Sequence, residues 1–220
     1  MLDTLLSLLA PHLCSSCGAV GTPLCGYCKY NINKSHKRQC LLCERPSLEG
    51  VCMLHHAFFD SAWIVGERFG GLQRLIGGLK FLYMKSAAKS VAELLDLSLP
   101  PLPRNCMLVP IPTIRPHIRQ RGYDHLLLIT RALSRRRGVP YAQLLRRRHS
   151  AVQHESSRRD RLRQARTAFA VDGQVVPGRT YIILDDIVTT GATVSEAARV
   201  LREAGATSVW VVAVAKQTLD

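Results

Sequence analysis

Seven of the eight cysteines in this 220-residue chain fall between Cys14 and Cys52, six of them in pairs and the seventh paired with a histidine. The spacings are Cys14-x2-Cys17, Cys25-x2-Cys28, Cys40-x2-Cys43 and Cys52-x2-His55. A turn carrying two ligands three positions apart points both at one ion, so two such knuckles close a tetrahedral site and four supply two sites. A segment of about 45 residues is too short to build a self-sufficient core, and bound metal takes the place of that core. Redox dithiols usually occur singly beside a strand, and disulfides do not persist in a reducing compartment. The donor set therefore predicts two Zn²⁺ ions, and with every ligand supplied by protein both sites are structural. Sequential and nested pairings of the knuckles both suit the spacing, and His56 competes with His55 for the last position. Cys106, alone in an apolar run, reads as a small buried hydrophobe.

After residue 57 the pattern changes, which predicts two units: an N-terminal helix with a double zinc-ribbon module over 1–57, and a second domain over 58–220. In the second unit apolar runs alternate with helical patterns. Strands are expected at Ser61–Phe69, Cys106–Ile111, near Leu144, Tyr181–Leu184 and Ser208–Ala215. Helices are expected at Leu72–Tyr83, Ser86–Leu97, Gly122–Arg137 and Ala192–Ala204. Unbroken apolar strands alternating with helices predict an α/β fold, a parallel sheet with helices on both faces. Hydrophobic residues at 47% and charged residues at 21% exclude a disordered chain. No apolar run reaches the roughly 18 residues that span a bilayer, so no transmembrane segment is expected. The start, MLDTLLSLLAPHL, is greasy but holds Asp3 in place of a basic region, and reads as a short amphipathic helix instead of an export signal. A cytoplasmic location is the expectation that follows.

The net charge is +14, and its excess is local. Arg104 to Arg166 contains sixteen arginines, no lysine and three acids, Asp124, Glu155 and Asp160. A solvated basic face is the plain explanation. A surface for polyanions is the sharper one, and arginine favours forked contacts to phosphate oxygens.

The most specific segment is YIILDDIVTTGAT, Tyr181 to Thr193. An apolar strand delivers Asp185 and Asp186 at its carboxyl end, where α/β sheets place ligands. Thr189, Thr190, Gly191, Ala192 and Thr193 then lead into a helix, presenting backbone N–H groups and three hydroxyls suited to a phosphate. Carboxylates repel phosphate and suit hydroxyls or a metal; a phosphate with vicinal hydroxyls at this separation is a ribose 5-phosphate. A simple helix cap would need one polar residue and not two adjacent acids.

The segment resembles the signature of type I phosphoribosyltransferases, which bind 5-phosphoribosyl 1-pyrophosphate (PRPP). That resemblance implies that Asp185 and Asp186 receive the ribose hydroxyls, that residues 189–193 wrap the 5′-phosphate, and that Mg²⁺ accompanies PRPP. More widely the chain is similar to the ComF family, also called GntX-type proteins. The similarity rests on the four knuckles, Leu79-Lys80-Phe81, Val109-Pro110-Ile111-Pro112, Arg119-x-Arg121-Gly122-Tyr123, Arg148…Gln153 and the PRPP loop. It implies a role in handling single-stranded DNA, or with the DNA-uptake machinery, in natural competence. An active phosphoribosyltransferase releasing pyrophosphate, or a PRPP-responsive regulator, are the alternatives. Asp185 and Asp186 would also steady the cation-like sugar of such a transfer. Asp124-His125, Gln164 and the histidine ending the last knuckle depart from the usual family pattern. Arg119 and Arg121 are expected near the pyrophosphate. Lys80 reads either as a phosphate contact or as a snorkelling lysine. The polar stretch 149–167 reads as a lid over the site, with Gln153, Arg158 and Arg161 as candidate contacts.

Overall fold

The computed structural model describes residues 11–35, 38–148 and 168–217. Most of the expected N-terminal helix, and the expected lid with Gln153, Arg158 and Arg161, lie outside these residues. Four parallel strands form the centre: β1 (Ser61–Glu67), β2 (Cys106–Pro110), β5 (Thr180–Val188) and β6 (Ser208–Lys216), side by side in the order β1-β6-β5-β2. Tyr181, Ile182, Ile183 and Leu184 are all fully buried. Successive strand residues face opposite sides, so four buried in a row require cover on both faces.

That cover comes from helices. α6 (Ala192–Glu203) packs against β5 and β6. α3 (Ala87–Ser98) and α5 (His125–Arg137) pack on each other, α3 also touching β1 and α5 touching β2 and β5. α2 (Gly70–Phe81) precedes α3, and α1 (Gly26–Ser35) carries Cys28 of the second knuckle in its first turn and rests on β1 and α3. Among the described residues no helix is long and apolar enough to cross a membrane.

Three local features differ from expectation. The strand near Leu144 is not part of the parallel sheet. Leu145–Arg147 (β3) instead pairs antiparallel with Phe169–Val171 (β4) as a separate two-stranded ribbon. Residues 115–121 form a short helix, α4 (Arg115–Arg121), with Pro116 at its start, where a missing N–H costs nothing. Gly122, expected to open α5, is the left-handed cap of α4 at φ 73°. α5 therefore begins at His125, behind Asp124, whose Oδ1 accepts from the N–H groups of Leu126 and Leu127 at 3.0 and 3.1 Å. Finally, β5 runs on past both acids to Val188 instead of ending at Leu184.

The cysteine-rich segment is docked on the sheet. Leu24 and Leu41 are buried in the same apolar cluster as the strands. Ala62 N–H donates to Glu49 O at 2.7 Å, and Arg74 Nε donates to Ser15 O at 2.6 Å. From the end of β6, Lys216 Nζ donates to Leu41 O at 2.9 Å and pairs with Glu44, also at 2.9 Å.

Candidate functional site

Asp185 and Asp186 sit at the carboxyl half of β5, both largely buried. Strand alternation turns them to opposite faces, and their surroundings differ accordingly. Asp186 Oδ2 lies 2.5 Å from Lys80 Nζ and 2.5 Å from His125 Nε2. Arg121 Nη1 donates to His125 Nδ1 at 3.1 Å. A guanidinium can only donate, so Nδ1 is an acceptor and Nε2 carries the proton given to Asp186. The side chains of α2, α4, α5 and β5 thus form one connected chain, Arg121–His125–Asp186–Lys80. Among the described residues Asp185 has no such cationic contact; its Oδ1 accepts from the N–H of Asp186 at 2.8 Å.

The electrostatics follow from this asymmetry. Burial, with the neighbouring Asp186 charge, pushes the Asp185 carboxyl up to about 7. Burial pulls Asp186 upward too, but the His125 hydrogen bond and the Lys80 charge outweigh it and hold that carboxyl at about 2. Two adjacent acids of opposite tendency are what a shared buried position produces when only one is paired.

Beyond Val188 the chain turns sharply. Thr189, Thr190, Ala192 and Thr193 are exposed, whereas Gly191 is buried at φ 80°. The threonines are therefore open to solvent at the start of α6, where the Ala192 N–H donates to Thr190 Oγ1 at 3.4 Å and the helix dipole favours an anion. A cleft of about 400 Å³ opens beside the two acids. Lys80, Arg121, His125 and Arg147 stand in its wall together with Asp185 and Asp186, and Ile111 to Ile114 form its floor.

Lys80, Arg121, Asp185 and Asp186 are thus gathered in one place. Arg119 is on the same short helix as Arg121 but is exposed and does not line the cleft. Lys80 is an ion-pair partner and not a snorkelling side chain. Sequence reasoning did not single out two wall residues. His125 looked like a departure from a family pattern, and only the meeting of α5 with β5 gives it a role. Arg147 lay inside a long arginine run; its Nε donates to Pro112 O at 2.8 Å and its guanidinium lies 5.0 Å from the Phe169 ring.

Two further groups of ligands converge away from the cleft. Cys14, Cys17, Cys25 and Cys28 form one, and Cys40, Cys43, Cys52 and His55 form the other, with ligand atoms in each within 4.8 Å of one another. The pairing is therefore sequential. The last ligand is His55 through Nδ1, which is 3.1 Å from Cys52 Sγ and 3.6 Å from Cys40 Sγ. His56 is exposed. Cys17 and Cys25 sulfurs are 3.7 Å apart, and those of Cys43 and Cys52 are 3.6 Å apart. Metal–sulfur bonds near 2.3 Å in a tetrahedron set neighbouring ligands about 3.8 Å apart, so both groups fit a metal ion of that geometry.

Comparison with known proteins matches a phosphoribosyl transferase domain to residues 127–218. Competence protein F of Haemophilus influenzae is 29% identical over 213 residues, covering 90% of this chain and 88% of the relative. DNA utilization protein YhgH of Escherichia coli K12 is 30% identical over 93% of this chain and 96% of its own length. Competence protein ComFC of Streptococcus pneumoniae is 27% identical over 90% of this chain and 84% of its own.

Proposed function

The chain belongs to the ComF family, and from that premise we propose that it binds PRPP with Mg²⁺ and uses this to handle single-stranded DNA during uptake, with Zn²⁺ in both metal centres. The observation that carries the proposal is the juxtaposition of Asp185, a buried carboxyl with no cationic hydrogen-bond partner among the described residues, with Thr189 and Thr193, which line one small recess with it. In this assignment residues 189–193 take the 5′-phosphate and Asp185 accepts from the ribose diol. Asp186 acts chiefly by holding Lys80 and His125 in the cleft wall, where Lys80, Arg121 and Arg147 meet the pyrophosphate. Arg119 would reach the same group only from the rim. Mg²⁺ supplies charge neutralisation on the pyrophosphate oxygens when it is bound.

The DNA part of the proposal is supported by the names of the relatives and by the exposed arginines Arg104, Arg115, Arg135, Arg146 and Arg148. Other members of the arginine run hold the scaffold together: Arg137 Nη1 and Nη2 donate to Pro100 O and Leu99 O, each at 3.0 Å. The three cations in the cleft wall favour transfer as a second function. In that step the C1–O bond breaks with its electron pair leaving on pyrophosphate, the lone pair of an acceptor nitrogen bonds to C1, and the proton that nitrogen gives up goes to the released pyrophosphate or to water.

The test is a thermal melt with and without PRPP and Mg²⁺. Ligand at a hundredfold over its Kd contributes about 2.7 kcal/mol. At about 2–4 °C per kcal/mol for a chain of this size, the melting temperature rises roughly 5–10 °C. The Asp185→Asn/Asp186→Asn variant is expected to lose that rise; an unchanged rise would reject this site.

A further inference from the structure

The Cys40–Cys43 knuckle touches the phosphate loop directly. A Cβ built on Gly191 would lie 2.4 Å from Leu41 Cδ2 and 2.9 Å from Leu42 Cδ2. The two leucines are the residues between the paired cysteines, so ligand geometry at the metal centre sets where they stand. Leu41 is almost completely buried at this contact. Its backbone is fixed from both sides: its N–H donates to Gly50 O at 2.8 Å, and its carbonyl accepts from Lys216 Nζ at 2.9 Å. Lys216 is itself buried at the end of β6, the strand next to β5. On the other side of the contact, Gly191 is the buried residue of a loop whose remaining members are exposed. The first metal group meets a different part of the molecule: Ser16, within its opening knuckle, lies against Gly71 at the start of α2.

We propose that Leu41 and Leu42 are positioning residues for the phosphate loop, so that the second metal centre, and not the first, controls how tightly the loop holds a phosphoribosyl group. This rests on the reading of residues 189–193 as the 5′-phosphate site. With metal in place, the leucine tip presses on Gly191 and holds the N–H groups of the loop in one arrangement. Without it, the tip is released and the loop must be ordered anew at each binding event, which lowers affinity. Linkage makes the effect mutual: ligand in the loop tightens metal binding at the second centre by the same factor.

The experiment uses the full chain. Amide hydrogen exchange across residues 189–193 is measured without ligand, and PRPP–Mg²⁺ affinity by calorimetry, for wild type, Leu41→Ala, Leu41→Met, His55→Ala and Cys17→Ala. Leu41→Ala and His55→Ala are expected to speed exchange in the loop and to raise the Kd tenfold or more. Leu41→Met, which keeps the volume, restores both to within about twofold of wild type, and Cys17→Ala leaves loop exchange unchanged. If Leu41→Ala has no melting transition, the half-buried Leu42→Ala takes its place, with a smaller rise of about threefold. Unchanged loop exchange in the alanine variants overturns the proposal. Equal acceleration by Cys17→Ala also overturns it, since the effect would then be general loosening. Failure of wild type to bind PRPP rejects the phosphate reading by itself, while the exchange measurement still decides whether knuckle and loop are coupled.

Discussion

Asp185 and Asp186 share a backbone stretch and have opposite electrostatic fates, and this decides how single substitutions behave. Because the folded-state carboxyl of Asp185 titrates near 7 and an unfolded one near 3.8, the folded state binds that proton more tightly. Its contribution to stability is complete below about pH 4 and is lost as the pH rises through about 7. Asp186 has the opposite sign: held at about 2, it stabilises above about pH 4 and the benefit goes as the pH falls toward 2. Asp185→Asn keeps an oxygen for the N–H of Asp186 and removes the buried charge. It is expected to stabilise the protein at pH 8, on the order of 2 kcal/mol, and to leave it nearly unchanged at about pH 4, where both folded and unfolded carboxyls hold the proton to a large extent, while PRPP binding is lost. Melting curves at the two pH values check the first claim, and calorimetry the second. Lys80→Met leaves Asp186 with His125 alone. It is expected to lower stability at neutral pH by about 1–3 kcal/mol, the cost of a weakened buried pair, with the midpoint of denaturant unfolding as the readout.

At the level of elements, the strands of the central sheet were legible because burial on both faces leaves unbroken apolar runs within them, Met107–Pro110 in β2, Tyr181–Leu184 in β5 and Val209–Ala215 in β6. The adjacent acids and the threonine-rich loop were legible because they interrupt that pattern abruptly. What escaped notice had no local signature. α1 holds the ligand Cys28 and presents Tyr27 and Tyr30 to solvent, so it has little apolar stripe to detect. α4 is seven residues long, about two turns, with only one buried residue, Arg121. β3 and β4 are three residues each, and their pairing joins segments more than twenty positions apart. His125 acquires its partner from β5, sixty-one residues away, which no spacing rule reports. The knuckles, by contrast, gave their ligands but not their pairing, since turn geometry fixes two ligands and chain path chooses the other two. Metal analysis is expected to return about two equivalents per chain. Chelation is expected to unfold the segment around residues 12–55, because so short a stretch folds with its metal, and exchange protection there should disappear first.

For the whole molecule, charge is the property that reaches furthest. A net +14 with exposed arginines in the 104–148 span predicts single-stranded DNA binding dominated by release of condensed counterions. The logarithm of the binding constant should fall linearly with the logarithm of salt. Arg115→Ala together with Arg146→Ala should reduce that slope by about 1.4, at roughly 0.7 per phosphate contact on a single strand. A filter-binding series between low and physiological salt measures it, and an unaltered slope would remove these two arginines from the contact surface.

The bond from Lys216 to the carbonyl of Leu41 joins positions 175 residues apart in sequence. At synthesis rates of about 5–20 residues per second, the segment holding Leu41 leaves the ribosome roughly 9–35 seconds before the strand that will receive it exists. The nascent cysteine cluster thus has an interval in which cellular metal reaches it without obstruction. The last strand to emerge closes over a part that was already charged, and a chain starved of metal during translation would finish with its final strand facing an unformed partner.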